Sequence, residues 1–232
     1  MKIEICILCK NELESFRKIY LNFLKITKRL GLNFFIMDGN STDGLVNFYK
    51  KKNIKYYTQN IPGRGSAIIQ AFQLRKDLDG LIFFSPDGNE DPRDLKMFIK
   101  YLKSYDLVIA SRMMKGGVNE EDYKILRFRK WANLFFNLLA NLFFRKNNKY
   151  ITDSINGYRA IRSKVFKQLN CDEAGYAIEY QMTIRALKED MKIKEFPTIE
   201  NKRIAGISQA PSISTGLTFI RCLFKETKKK FF

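Results

Sequence analysis

Asp87 and Asn89 stand two residues apart where an apolar run ends, in "FFSPDGNEDP" (83–92). In an extended segment alternate residues point the same way, so positions 85, 87 and 89 share a side. Asp87 and Asn89 can then offer a carboxylate and an amide oxygen to one cation, with Ser85 adding at most a hydroxyl. Mg²⁺ uses one or two carboxylates and completes its shell with waters and substrate phosphates. Three readings stay open for Asp87: turn former, neighbour of a helix cap, and metal ligand. Asp38 and Arg112 also sit at or just past the ends of apolar runs, "NFFIMD" (33–38) and "DLVIAS" (106–111). Asp43, in "GNSTDG", reads as a turn or cap residue.

Composition narrows the chemistry. The 232 residues include no histidine, which removes Ser-His-Asp and Cys-His catalysis and every His-ligated metal. The formal net charge of +18 points to polyanionic partners, among them nucleic acid, anionic lipid and phosphorylated substrates. Cys6 and Cys9 spell C-x-x-C inside "IEICILC", a strand on which residues three apart face opposite sides. They read as buried reduced thiols, in keeping with a cytosolic protein. Glu4 and Lys10 interrupt the early apolar run, so it does not read as a secretory signal. The longest apolar stretch, "WANLFFNLLANLFF" (131–144), is shorter than the roughly 18–20 residues a bilayer span needs.

The elements that must position these residues alternate. Strands are expected at 2–9, 33–38, 54–59, 80–85 and 106–111. Helices are expected at 11–30, after "GRGSA", and through "DPRDLKMFIKYLK". Alternation of this kind, with strands apolar on both faces, predicts a mostly parallel α/β sheet covered on both sides. Ligands in such sheets bind beyond the carboxyl ends of the strands, where Asp38, Asp87 and Arg112 fall. Beyond residue 112 come a loop, a long helix over 123–146, the polar stretch "DSINGYRAIRS" (153–163), a helix in "AIEYQMTIRALKED" and a strand in "KIKEFP". Asn133, Asn137 and Asn141 form one stripe on the long helix, and apolar residues cover the rest. That width suits packing against the protein's own core or a partner chain, or insertion at a membrane interface, with Arg127, Arg129, Lys130, Arg145 and Lys146 flanking it.

The ordered series "ILCKNE", "MDGNSTDG", "GRGSA", "FFSPDGNEDP", "ASR", "DSINGYRAIRS", "EFP" and "RIAGIS" resembles family 2 of the glycosyltransferases. It is most similar to the dolichol- and polyprenol-phosphate mannosyltransferase and glucosyltransferase branch. The resemblance implies a Rossmann-like GT-A fold in a single domain, here 1–212, followed by a basic amphipathic tail, 213–232. It implies sugar transfer with inversion from a nucleotide-diphosphate donor, a UDP- or GDP-sugar, with Mg²⁺ or Mn²⁺. It places Glu12 and Asp38 at the base and ribose, and Ser85 where the first acid of the D-x-D pair would be. Asp87 is the second acid, a metal ligand beside Asn89. Arg112 contacts the donor phosphates. Arg203 and Ser208 lie on the loop over the diphosphate, and Asp153, Tyr158 and Arg159 in the acceptor region, with Arg162 next to it. Gly39 replaces the second aspartate after Asp38.

The chemistry suits these residues. A departing diphosphate gains negative charge, which a cation at Asp87 and the guanidiniums of Arg112 and Arg203 stabilise in the transition state. A polyprenyl phosphate acceptor is already anionic near neutral pH, since a phosphomonoester's second pKa is about 6. It needs no base, and Arg159 and Arg162 would hold it. A sugar hydroxyl is the alternative acceptor, with Asp153 as base. A nucleic-acid binder is a further reading of the charge, although no known module appears. A non-catalytic relative is a further reading of Ser85. From residue 201 onward seven Lys or Arg oppose one acid, Glu226. That charge leads us to expect peripheral attachment to an anionic membrane surface, on the cytoplasmic face.

Overall fold

The computed structural model describes residues 1–147, 150–206 and 212–228. Seven strands form one sheet: β1 (Ile3–Cys9), β2 (Asn33–Asp38), β3 (Tyr56–Thr58), β4 (Gly80–Phe84), β5 (Leu107–Ser111), β6 (Arg159–Arg162) and β7 (Ile193–Pro197). Their order is β3-β2-β1-β4-β6-β5-β7. All pairings are parallel except those of β6, which runs antiparallel to both β4 and β5.

Period-two alternation sends strand side chains into two cores. Ile5, Ile7, Cys9, Ile36, Ile82, Phe84 and Val108 meet α1 (Leu13–Leu30), α2 (Leu45–Lys51) and α4 (Leu95–Leu102) on one face. Cys6, Leu8, Phe35, Leu81, Phe83 and Ile109 meet α3 (Arg64–Leu74), α5 (Phe128–Phe144), α6 (Ser163–Leu169), α7 (Ile178–Lys188) and α8 (Ser212–Lys228) on the other. Cys6 and Cys9 therefore part to opposite faces, and all four cysteines are buried and reduced.

Three differences from the sequence reading have local causes. α5 starts at Phe128, not near 123, because Asn119 and Asp122 fold the preceding stretch into a turn. There the Asn119 amide N–H donates to Asp122 Oδ2 (2.8 Å), and Glu121 N–H donates to Asn119 Oδ1 (3.1 Å). α2 and α6 have seven residues each, too short for a clear helical period, and are held by buried pairs such as Leu45 with Tyr49. The tail is helical from Ser212 to Lys228, in keeping with its pattern, but it packs into the core rather than trailing from it. Its Phe219, Cys222 and Leu223 are buried, and Glu226 is fully buried against Arg185 of α7 (2.7 Å).

α5 is inverted relative to an ordinary surface helix. Asn137 and Asn141 are 1% and 5% exposed, while Leu142 and Phe143 are 68% and 56% exposed. The buried amides bond the backbone of the loop after α5. Asn137 accepts from Ser154 N–H (2.8 Å) and donates to Thr152 O, and Asn141 accepts from Ile151 N–H (2.8 Å). No helix among the described residues is long and apolar enough to cross a membrane.

Candidate active site

The carboxyl ends of β1, β2, β4 and β5 open into one cavity of about 1390 Å³. Its floor is the turn after β4. Ser85 N–H donates to Glu90 Oε2 (2.7 Å), Asn89 N–H to Asp87 Oδ1 (3.1 Å), and Gly88 takes a φ of +93°. Asp91 accepts from Arg93 N–H (2.8 Å) and starts the 3₁₀ turn that leads into α4, with Pro92 at its first position. Asp43 caps as expected. Its two oxygens accept from Leu13 N–H (2.8 Å) and Leu45 N–H (3.1 Å), tying together the starts of α1 and α2.

Asp87 and Asn89 both line the cavity. Asn89 Oδ1 is buried and accepts no hydrogen bond, while its amide donates to Glu120 Oε2 at 3.3 Å. A carboxylate and an unpaired amide oxygen are hard donors that fit Mg²⁺ or Mn²⁺. No group of three His, Cys, Asp or Glu side chains that could hold a metal exists among the described residues. Diphosphate and water would therefore supply the remaining ligands. Ser85 Oγ is 3.5 Å from Arg64 Nη1.

Arg203 bridges the two acids at the mouth, Nη1 to Glu12 Oε1 (2.5 Å) and Nη2 to Asp87 Oδ2 (3.0 Å). Burial, with Asp87 nearby, pushes the Glu12 carboxyl up, and Arg203 partly offsets this. Burial and then Asp87 likewise push Glu90 well above the usual carboxylate range. Arg112 donates to Asp153 through N, Nε and Nη2 (3.1, 2.8 and 3.0 Å) and to Glu200 through Nη1 (2.9 Å). Burial works against its charge, but those two carboxylates outweigh it and raise its pKa.

Other expected site residues lie elsewhere. Asp153 is fully buried behind Arg112, a positioning group rather than a base open to the cavity. Tyr158 reaches the wall but is 1% exposed, and its hydroxyl donates to Asp91 O (2.9 Å), bracing the turn. Asp38 is turned inward, accepting from Ser41 N–H (2.9 Å) and from the Tyr49 hydroxyl (3.4 Å), while Met37, Gly39 and Asn40 line the cavity. Neither acceptor arginine lines the cavity. Arg159 is fully buried under α7, donating to Asn156 O (2.6 Å), Ser154 O (3.1 Å), Glu179 O (2.8 Å) and Thr183 Oγ1 (3.0 Å). Because β6 runs antiparallel, Arg162 lands beside Gly80 at the opposite sheet edge, donating to Leu102 O and Lys103 O (3.0 and 2.7 Å). Ser208 lies outside the described residues.

Sequence reasoning missed Arg64, Glu90, Glu179 and Glu200, all in the cavity wall. Arg64 opens α3 and is paired with Glu179. The "GRG" around it is not a phosphate cradle. A Cβ at Gly65 would fall 1.9 Å from Glu173 O, and the α3 amides of Gly65 and Ser66 are taken by Gly175 O and Ala174 O (3.2 and 3.0 Å). The glycines admit the chain at 173–175. The only sequence signal for Arg64 is its place between them.

Charge in the cavity departs from that of the whole chain. Six basic side chains (Lys10, Arg64, Arg112, Lys124, Arg129, Arg203) and seven acidic ones (Glu12, Asp87, Glu90, Glu120, Glu121, Glu179, Glu200) line it. Burial and Asp87 favour the neutral form of Glu90, so the two signs are close to balance in this pocket of a protein whose net charge is +18. α5 and α8 add apolar lining from Phe128, Ala132, Phe136 and Phe219, interspersed with Arg129, Asn133 and Thr215.

Two curated relatives are each 28% identical over 63% of this chain. They are the undecaprenyl-phosphate mannosyltransferase of Micrococcus luteus and the polyprenol monophosphomannose synthase of Mycolicibacterium smegmatis. The match spans 60% and 56% of their own lengths. The glucosyl-3-phosphoglycerate synthase of Mycobacterium tuberculosis, solved with Mn²⁺, UDP and phosphoglyceric acid, superposes with a TM-score of 0.74. That superposition covers 99% of this chain and 80% of the other at 16% identity, and shows that the fold is GT-A. Residues 4–169 match the Glycosyl transferase family 2 profile, and the chain belongs to that family.

Proposed function

We propose that this chain is an inverting glycosyltransferase that moves a sugar from a nucleoside-diphosphate donor to a polyprenyl phosphate. The observation that carries this reading is one cavity lined both by Asp87, Arg112 and Arg203 and by the apolar side chains Phe128, Ala132, Phe136 and Phe219 of α5 and α8. A phosphate with a hydrocarbon chain matches both kinds of lining. The relatives from Micrococcus and Mycolicibacterium are named for acceptors of this kind, and the structural neighbour binds UDP with Mn²⁺.

In the reaction an acceptor phosphate oxygen attacks the anomeric carbon on the face opposite the diphosphate. The bond from that carbon to the diphosphate oxygen breaks, and its electron pair leaves with the diphosphate. No proton need move at neutral pH, because the acceptor is already ionised. This accords with the burial of Asp153, the base a hydroxyl acceptor was expected to use. Asp87 and Asn89 would hold the divalent cation, which when bound neutralises charge on the leaving diphosphate. Arg112 and Arg203 add fixed positive charge there, Arg112 aimed by Asp153 and Glu200. Glu12 and the rim at Met37, Gly39 and Asn40, which line the cavity, are proposed to meet the nucleoside.

We also propose that the outward faces of α5 and α8 rest on an anionic membrane surface. Phe128, Trp131, Leu134, Phe135, Leu138, Leu142 and Phe143 of α5, with Leu217, Ile220 and Phe224 of α8, are exposed large apolar side chains on the two helices that give the cavity its apolar lining. Exposed Arg145 and Lys146 flank α5, where each basic side chain near anionic lipid is worth about 1 kcal/mol. The test is a matrix of UDP-, GDP- and dTDP-sugars against polyprenyl phosphate and glycan acceptors, with and without Mg²⁺ or Mn²⁺. Transfer to the lipid phosphate by one donor class is expected. Transfer only to hydroxyl acceptors would replace the acceptor half of the proposal.

A further inference from the structure

Arg203 lies on the same carboxylate that the cation reading needs. Its Nη2 donates to Asp87 Oδ2 (3.0 Å) while Nη1 donates to Glu12 (2.5 Å). Asp87 Oδ1 is already accepting from Asn89 N–H (3.1 Å), so both Asp87 oxygens are engaged. The other arginines of the cavity differ. Arg112 pairs with Asp153 and Glu200, Arg64 with Glu179 and Arg129 with Glu120, none of them on the Asp87–Asn89 pair.

The segment that carries Arg203 is strapped to the turn independently of its side chain. Ile204 N–H donates to Asp87 O (2.9 Å) and Asn201 N–H donates to Asn89 O (2.9 Å). Ile204 also covers Gly88, where a Cβ would fall 2.5 Å from Ile204 Cγ1. The backbone ties keep the guanidinium within a side chain's length of Asp87 whichever anion it serves.

We propose that Arg203 makes cation binding conditional on donor binding. In the chain without donor, the guanidinium takes the Asp87 oxygen that a divalent cation requires, and two positive groups cannot share that carboxylate without repulsion. A nucleoside diphosphate offers Arg203 other anionic oxygens and brings ligands for the cation. Donor and cation thus enter as a coupled pair, and the coupling is reciprocal. The inference rests on the cation reading of Asp87 and adds to it an order of assembly controlled by one side chain.

The test is Mn²⁺ binding, read from the electron paramagnetic resonance signal of free aqueous Mn²⁺, on the full chain with and without UDP or GDP. Titrations lacking protein correct for Mn²⁺ held by nucleotide alone. In the wild type, nucleotide is expected to tighten Mn²⁺ binding on the order of 5–150-fold. Arg203→Gln is expected to bind Mn²⁺ alone several-fold more tightly than wild type and to lose most of the nucleotide enhancement. Arg203→Lys, with charge but no fork, is expected to fall between, and it decides alone if the Gln variant does not fold. Equal or weaker binding of Mn²⁺ alone by the folded variants overturns the proposal while leaving the cation reading standing. No Mn²⁺ binding by any form, with nucleotide present, overturns both.

Discussion

The proposed chemistry turns on Asp87, and its substitution is the sharpest residue-scale test. Asp87→Ala is expected to lower the transfer rate on the order of 10²–10³-fold and to abolish its dependence on added Mn²⁺, read from initial rates across a metal titration. Asp153→Asn leaves the side-chain shape but removes the charge that aims Arg112. It is expected to lower kcat on the order of 10²-fold, as for a catalytic group displaced by about 1 Å. Glu195 supplies a pH signature. It accepts from Thr152 and Asp153 N–H (2.9 and 2.8 Å), and burial, partly offset by those bonds, raises its carboxyl to about 7. A folded pKa above the unfolded value gives stability that is present below the unfolded pKa and lost as pH rises through about 7. Glu195→Gln is therefore expected to gain on the wild type on the order of 1–3 kcal/mol at pH 8 and not at pH 4, measured by denaturant melts. Asp87 and Arg112 were legible in the sequence because a parallel strand delivers its last residues to the ligand side. Arg162 was misplaced because nothing in "NGYRAIRS" reveals that its strand runs antiparallel, and Arg159 because nothing there reveals that its side chain faces α7. Arg64 was passed over because a basic residue between two glycines reads as an ordinary turn.

The α5 helix shows what periodicity can and cannot reveal at the scale of an element. The four-residue spacing of its asparagines was visible, and so was the unusual width of its apolar face. Which side faces inward was not, because that depends on the backbone of 151–154, where Ile151 and Ser154 N–H and the carbonyls of Ile151 and Thr152 pair with Asn141 and Asn137. Asn137→Leu strands Ser154 N–H and Thr152 O and is expected to destabilise the fold by roughly 1–3 kcal/mol for each one left unsatisfied. Leu138→Glu, on the exposed face, is expected to leave stability within about 0.5 kcal/mol. The same change is expected to weaken flotation with anionic vesicles several-fold. Unchanged vesicle binding would remove α5 from the membrane proposal. The short helices α2 and α6 were illegible for a different reason: seven residues give two turns, and their stability comes from the sheet they cover.

At the scale of the molecule, the chain separates its charge. A chain of net charge +18 encloses a pocket in which acidic and basic side chains are close to balance, so the proposed membrane contact and the proposed cation site draw on different parts of one molecule. The sheet and both helical layers followed from alternating patterns. The placement of α8 did not, because its buried Glu226–Arg185 pair joins residues 41 apart in sequence, and each reads as a surface charge by itself. Vesicle binding driven by this net charge is expected to fall as salt rises toward 1 M, where the Debye length shrinks to about 3 Å. The central claim is that Asp87 and a cation steady a leaving diphosphate while a lipid phosphate takes the sugar. The most direct measurement is transfer of radiolabelled sugar from UDP- or GDP-donors into the organic phase with polyprenyl phosphate, for wild type and Asp87→Ala, in Mn²⁺ or in EDTA. The account predicts label in the lipid only for wild type with Mn²⁺. Equal labelling by the variant, or by wild type in EDTA, would contradict it.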